Sequence, residues 1–512
     1  MKPMVITGII LFSTTCVLAQ KGPAFSSLPK IEQYRLEKVA SPPEPAMRYG
    51  CYSTPNYYLC NEGYEYIGDL DKDPNTRCYP SMKGKKGPDF GRWKLDRNRP
   101  EWQDAILANW AELGLNNTHL NIYPEDNSLR LSDSYKKSIQ DYVALSEKHG
   151  LKVGVRLDAI GDAKAWEMNP DNPANRIADY KIWVADIAAI LKGKTAYYIL
   201  GDELYLYKDP SKMPPQSWTP DKYLEYFKQI SAAIKKTDPQ AKVSMFGAES
   251  GKWSNVLYLL ENDYAKYGDA VAINYYNYQD IPKFFDDARK LAPGLLFLSN
   301  GVGYVSNGTV KPRYPEGDGY QAYPTEEQHA YTIAKNMFAW WDLGASTAPY
   351  YITLRNWVVN GKVYPRWFGF FGIEDFVVDG YGNLTVKRYP GWYAFQTVAH
   401  TFYNRDQFRQ PAFKVASSAE LSMFRAYCHK INGSEELLLM LWNDKGTVKT
   451  TITIDSTDFK YPVAISFFNY HKWSDVDYDL SDTGSIINVN VGPDPQIIRL
   501  FSVAADNPTV KK

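Results

Sequence analysis

Cysteine is scarce in this 512-residue chain, with Cys16, Cys51, Cys60, Cys78 and Cys428 its five examples. None shows the spacing of a zinc-ligand set. Histidine is scarce as well, with 6 residues scattered along the chain, so a metal-dependent hydrolase lacks its usual ligands. Net charge is absent too: 58 basic residues cancel 58 acidic ones. A nucleic-acid or anionic-membrane partner would want a basic excess, and none is expected. No G-x-G-x-x-G or Walker A sequence marks a nucleotide site, and no G-x-S-x-G elbow marks a serine hydrolase. The run Asp69-x-Asp71-x-Asp73-x-Asn75 begins like a calcium loop but lacks the glycine at position six and the closing glutamate, so it reads as a solvated turn. No metal and no cofactor is therefore expected. Solenoid repeats and low-complexity tracts are missing as well.

Long apolar runs are also lacking. The longest near the N-terminus, Val5 to Phe12, is too short to span a membrane. With Lys2 before it and Val17-Leu18-Ala19 after it, residues 1–19 read as a secretory signal peptide cleaved after Ala19. Phe12-Ser13-Thr14-Thr15-Cys16 lacks the leucine expected three residues before a lipidated cysteine. The expectation is an exported protein, secreted or periplasmic. Export permits a disulfide among Cys51, Cys60 and Cys78, and the sequence does not choose the pair.

What the chain has in quantity is β–α alternation and aromatic side chains. Its length suggests two domains. After the Pro-rich Ser41–Pro45, Met47–Tyr52 reads as a first strand, and residues 56–98, rich in Gly, Pro, Lys and Asp, as a long insertion. Helical and strand patterns then alternate. Strands are expected at 117–122, 152–157, 196–200, 243–246, 270–273, 295–298 and 348–352, each preceded by a helix-length segment, and a last helix at 391–401. Eight strands and eight helices are the inventory of a (β/α)8 TIM barrel, expected over 47–405. From about Gln410 the pattern turns to short alternating runs split by turns, which predicts an antiparallel β-sandwich over 410–505. Aromatics make up 15% of the chain, enough for sugar-stacking surfaces and equally suited to core packing.

Chemistry in such a barrel gathers where strands end. The run Tyr197-Tyr198-Ile199-Leu200-Gly201-Asp202-Glu203 stops at a glycine and then presents two acids. Glycoside hydrolysis needs one such group to protonate the leaving oxygen. Glu203 is the candidate general acid, with Asp202 beside it and Glu249, closing Phe246-Gly247-Ala248-Glu249, as a candidate second carboxylate. The other strand ends supply candidate substrate contacts: His119, Asn121, Arg156, Asp158, Asn274, Tyr276, Asn300, Arg355 and Trp357. Each has a structural alternative. Asp202 can cap a helical turn, His119 can be a satisfied interior histidine, Arg156 can pair with a rim carboxylate, and Trp357 can cap the barrel.

The order of elements from Met47 to Phe402, with Asp202-Glu203 ending the fourth strand, resembles the clan A glycoside hydrolases. That resemblance implies a retaining (β/α)8 enzyme whose acid/base glutamate ends strand four, usually after an asparagine, and whose nucleophile glutamate ends strand seven. Glu203 then matches the acid/base and Asp202 takes the asparagine slot. The seventh-strand segment, Leu298-Ser299-Asn300-Gly301-Val302-Gly303-Tyr304, departs from the pattern: Asn300 or Gly301 stands where the nucleophile belongs, and no acid follows until Glu316. Retaining chemistry needs two carboxyl groups about 5 Å apart and inverting chemistry a wider gap. Glu203 could work with Glu249, Asp202 or Asp158, which leaves retaining and inverting schemes open. The expected function is cleavage of a poly- or oligosaccharide; the alternative is a degenerate barrel that binds glycans without cleaving them.

Overall fold

A computed structural model describes residues 20–27, 64–67, 77–80, 100–122, 129–157, 177–201, 206, 218–249, 253–275, 281–302, 305–306, 322–323, 325–345, 354–359, 361–365, 372–431 and 434–502. The chain divides into two compact units. One holds the described residues within Pro42–Asp406 together with Phe467–Tyr470, the other those within Met1–Ser41, Gln407–Ser466 and His471–Lys512.

The first unit is a TIM-barrel-like domain. Six parallel strands follow one another in both sequence and sheet order: Asn117–Ile122, Lys152–Leu157, Thr195–Leu200, Val243–Glu249, Ala270–Tyr275 and Leu296–Val302. Helices separate them, which is what parallel pairing of consecutive strands requires. Their sequences explain the helices. In Asp133–Lys148, Ser132 caps the first turn by accepting from the Tyr135 amide, and Tyr135, Ser138, Ile139, Tyr142, Val143 and Ser146 form a buried stripe at helical spacing. In Pro220–Thr237, Thr219 accepts from the Lys222 amide and proline sits at the first position, where its missing N–H costs nothing. The strands are buried on both faces; Lys152–Leu157 is buried from Val153 onward.

The sheet curls. Tyr197 and Ile199 pack in one buried cluster with Ala270, Ala272 and Leu298, which lie on strands that do not neighbour theirs. Only a concave face lets those side chains meet. Gly154 makes room for the curl, because a Cβ there would lie 2.4 Å from the Tyr197 ring. On the convex face, the Thr118 hydroxyl meets that of Tyr142 on a helix (2.7 Å). The expected first and eighth strands, 47–52 and 348–352, lie outside the described residues.

One part of this unit departs from the expected barrel pattern. Leu354–Val359 belongs to a separate four-stranded sheet, in the order Lys362–Pro365, Leu354–Val359, Glu374–Val378, Leu384–Arg388. Within the 56–98 insertion, Tyr64–Ile67 and Arg77–Pro80 pair as antiparallel strands. The remainder of that insertion, including Cys60 and the acidic 69–75 run, lies outside the described residues, as does Cys51.

The second unit is an antiparallel β-sandwich. A six-stranded sheet is centred on Met423–Ile431, Ser434–Trp442 and Gln496–Ser502, and a five-stranded sheet on Val448–Ile454 and Gly484–Val491. Leu437, Leu439, Leu441, Ile498 and Leu500 from the first meet Ile452, Ile454, Ile487 and Val491 from the second. Cys428 is a free thiol in this core, and burial pushes its pKa up to about 11.

Candidate active site

The site is built from strand ends, and register decides which residues share a level. Parallel pairing sets His119 level with Gly154, Asn121 with Arg156, and Arg156 with Ile199. Because Tyr197 and Ile199 line the concave face, Gly154 and Arg156 in register with them occupy that face, and so does His119. His119 and Arg156 are 2% and 4% exposed, so both are interior residues within the barrel wall. The same face carries Ser244, level with Ile199 and Ala270, whose buried hydroxyl has no hydrogen-bond partner among the described residues. Ser244 carries no cue in sequence, since a serine inside an apolar strand looks like packing.

Higher on the sheet, Glu249 lies level with Asn274, and Asn274 with Gly301. Asn300 is the extra residue of a bulge, since Ser299 pairs with Ile273 and Gly301 with the next residue, Asn274. The Leu296–Val302 strand thus carries glycine at the level of Asn274. Gly201 has a left-handed backbone (φ 93°), which glycine adopts without strain, and its carbonyl accepts from the Gly247 amide at 3.4 Å. On its other side its own amide donates to the Leu157 carbonyl (3.2 Å). The segment entering Asp202-Glu203 therefore leaves the sheet between the ends of its two neighbours, and the neighbour on one side ends in Glu249.

Asp158, Asp202, Glu203 and Tyr276 lie outside the described residues.

Arg355 and Trp357 stand elsewhere than expected. Both belong to Leu354–Val359 in the separate sheet, where Trp357 is level with Phe376 and Tyr364. Arg355 is the extra residue between Leu354, level with Glu374, and Asn356, level with Asp375. Its guanidinium is 2% exposed and bridges to Glu326 (2.8 and 3.0 Å) and to the Gly372 carbonyl (3.1 and 2.9 Å). The Tyr389 ring lies 3.8 Å beneath it. With its donors held this way, Arg355 ties the strand to the start of the Glu326–Asp342 helix. Burial works to raise the Glu326 pKa, but the hydrogen bonds and charge of Arg355 overcome it and hold Glu326 below the usual glutamate range. A second buried acid, Glu374, accepts from the Asn109 amide (2.7 Å) and the Trp110 indole (2.8 Å).

Among the described residues no group of three or more His, Cys, Asp or Glu is arranged to hold a metal, and no helix is long and apolar enough to cross a membrane.

No protein-family model matches the sequence, and no curated protein does. Solved structures are similar in fold. AbfB, a family 51 α-L-arabinofuranosidase from Bifidobacterium longum, aligns at 13% identity and a TM-score of 0.47 over 90% of this chain and 97% of its own. Xyn30A, a glycoside hydrolase family 30 subfamily 8 xylanase from Clostridium acetobutylicum, aligns at 12% and 0.46 over 78% and 92%. CelM2, a bifunctional glucanase-xylanase from a metagenome library, aligns at 12% and 0.44 over 78% and 94%. The likeness is one of fold alone and at these scores adds no weight; the architecture rests on the strand order and registers above.

Proposed function

We propose that the protein is an exported glycoside hydrolase acting on a poly- or oligosaccharide, with Glu203 as general acid. The observation that carries the proposal is the Gly201–Gly247 contact: the chain entering Asp202-Glu203 leaves the sheet beside the strand that ends in Glu249. Neighbouring strands run about 4.8 Å apart, and in this proposal acids carried at two adjacent strand ends act together across that gap. In this scheme Glu203 protonates the leaving oxygen. Glu249 either attacks the anomeric carbon or activates a water, and Asp202 or Asp158 is the substitute if it does neither. Buried His119 and Arg156 line the interior below the rim, and Asn121, Asn274, Tyr276 and Asn300 are proposed as hydroxyl contacts.

The second reading, a barrel that binds glycans without cleaving them, is favoured by one feature: the Leu296–Val302 strand carries Asn300-Gly301 and no acid.

Turnover of aryl glycosides and of unactivated plant and algal glycans by wild type, Glu203→Gln and Glu249→Gln separates the two. General acid catalysis contributes about 10²–10⁴-fold, so Glu203→Gln is expected to lose that much on an unactivated glycan. Equal rates on it would remove Glu203 from the mechanism. Binding without turnover by wild type would establish the second reading. Anomeric NMR of the first product then assigns retention or inversion.

A further inference from the structure

The strand that ends in Glu249 does not pair regularly. Ser244 lies level with Ala270, but the next residue in register is Gly247, level with Ala272. Three steps on one strand span two on its neighbour, so Met245-Phe246 form a bulge with one extra residue. The other side holds the strand by a backbone contact. Ser244 is level with Ile199, and two residues beyond Ile199 the Gly201 carbonyl takes the Gly247 amide.

The two amides of the bulge do not bond to the neighbouring strands. The Met245 N–H donates to the Tyr264 hydroxyl (2.6 Å), which donates to the Ala270 carbonyl (2.7 Å). The Phe246 N–H donates to the Tyr223 hydroxyl (3.0 Å), which donates to the Leu200 carbonyl (3.1 Å). One phenol thus enters the sheet on each side of the strand and relays its amide to the adjacent strand.

The extra residue has a consequence for the rim. Continued without it, the alternation from Ser244 and Ala270 would bring Ala248 level with Asn274; with it, Glu249 takes that level. A slip of one residue exchanges the faces of a strand. We propose that Tyr223 and Tyr264 are positioning residues of the candidate active site, fixing the bulge that sets Glu249 level with Asn274 and Gly247 against Gly201. The catalytic part of this inference rests on the glycosidase reading; the positional part does not.

The two phenols are built to hold still. Both are fully buried. Tyr223 meets Phe246 edge-on (5.0 Å between ring centres), Tyr264 packs on Phe227 (4.7 Å), and Phe227 also touches Tyr223 (6.2 Å), so one aromatic row joins the wedges. Gly268 leaves room for Tyr264, since a Cβ there would lie 2.3 Å from its ring. Burial pushes both phenols far above their ordinary pKa, so the hydroxyls stay protonated and able to donate.

Tyr223→Phe and Tyr264→Phe keep the rings and remove the relays. Tyr142→Phe is the control, a buried phenol whose hydroxyl meets a side chain, Thr118, on another strand. Amide hydrogen exchange across 243–249 reads position, and kcat, KM and the pH profile on the best substrate of the panel read catalysis. Exchange is expected to quicken at Phe246 in Tyr223→Phe and at Met245 in Tyr264→Phe. Because small displacements of a reacting group are costly, kcat is expected to fall roughly 10–10²-fold with KM within about threefold, and a limb of the pH profile to move. Tyr142→Phe should lower thermal stability alone. Unchanged exchange in both wedge variants, or kinetics indistinguishable from the control, overturns the proposal. If wild type cleaves nothing in the panel, the glycosidase reading falls with the catalytic part. Exchange and a variant crystal structure then decide the positional part: a Gly201–Gly247 contact and bulge unchanged in the double variant overturn it, and a register shift supports it.

Discussion

Arg355 shows how a residue picked for binding can be committed to holding structure. Its position beside an aromatic and its charge suit a sugar contact, yet Glu326, Gly372 and Tyr389 surround the guanidinium. Lysine cannot reproduce the planar bidentate fork, so Arg355→Lys is expected to cost about 1–3 kcal/mol in urea unfolding. The pair also has a pH signature. In the folded protein Glu326 sits below its ordinary pKa, because Arg355 outweighs the burial that would raise it. The unfolded chain therefore takes up the proton first on acidification. The stabilisation is present above the ordinary glutamate pKa of about 4.3 and is lost as pH falls through and below it. In Arg355→Met, burial is left less opposed. That variant is expected to be destabilised at pH 7 and to lose less further stability than wild type between pH 7 and acid. Parallel loss of stability in the two proteins over that range would rule out the pair as its source.

At the scale of elements, glycines at close approaches carry the barrel's shape. Gly154 is in register with Tyr197, whose ring covers it on the concave face. Gly154→Ala overpacks that contact and is expected to cost about 1–3 kcal/mol, with Tyr197→Leu in the same chain recovering part of the loss. A neutral Gly154→Ala would mean the ring swings aside freely. Such contacts explain what could be read in advance. Helices and strands between Asn117 and Leu298 followed from periodicity, because each buries a stripe or a face of its own residues. The Met245-Phe246 bulge did not, and the expected strand stopped at Phe246 where the real one reaches Glu249. Nothing local in Ser244-Met245-Phe246-Gly247 announces an extra residue; the phenols that cap it come from 223 and 264. Tyr223 looks in sequence like one more residue of an apolar helix face. Leu354–Val359 and the Glu374–Arg388 hairpin were likewise unread, since Trp, Tyr, Gly and Pro crowd that stretch without a clean alternation. In the sandwich, the long core strands were legible. The short or exposed ones, Val415–Ser417, Asn469–Asp475 and Tyr478–Ser481, bury too little to leave a pattern.

At the scale of the whole molecule, the sandwich is assembled from both sides of the barrel-like domain in sequence. Gln20–Lys21 adds the outermost strand of the five-stranded sheet, with Gln20 level with Leu480 and Lys21 with Asp479. The Gly22 amide donates to the Tyr478 carbonyl (2.8 Å), and the Ser26 amide to the Asp475 carboxylate (3.0 Å). Gly22 must be glycine for this approach, because a Cβ would lie 2.2 Å from the Tyr478 ring. Residues that follow the expected signal cleavage after Ala19 thus cover a sheet edge formed almost 460 residues later, and an uncovered edge is open to pairing with another chain. Each unit has its own buried core, so calorimetry of the intact protein is expected to resolve two components. Deleting residues 20–27 removes a handful of net hydrogen bonds and the packing on Tyr478, about 2–4 kcal/mol, and should lower the sandwich component while the barrel component stays in place. Gly22→Ala should move the same component by less. A deletion that shifts both components equally would show the two cores melting as one, and a deletion that shifts neither would show the strand to be a passive fringe. Light scattering of the deleted protein adds the remaining check: with Tyr478–Ser481 as a bare edge, self-association is expected to rise with concentration, and a variant as monodisperse as wild type would deny the strand its covering role.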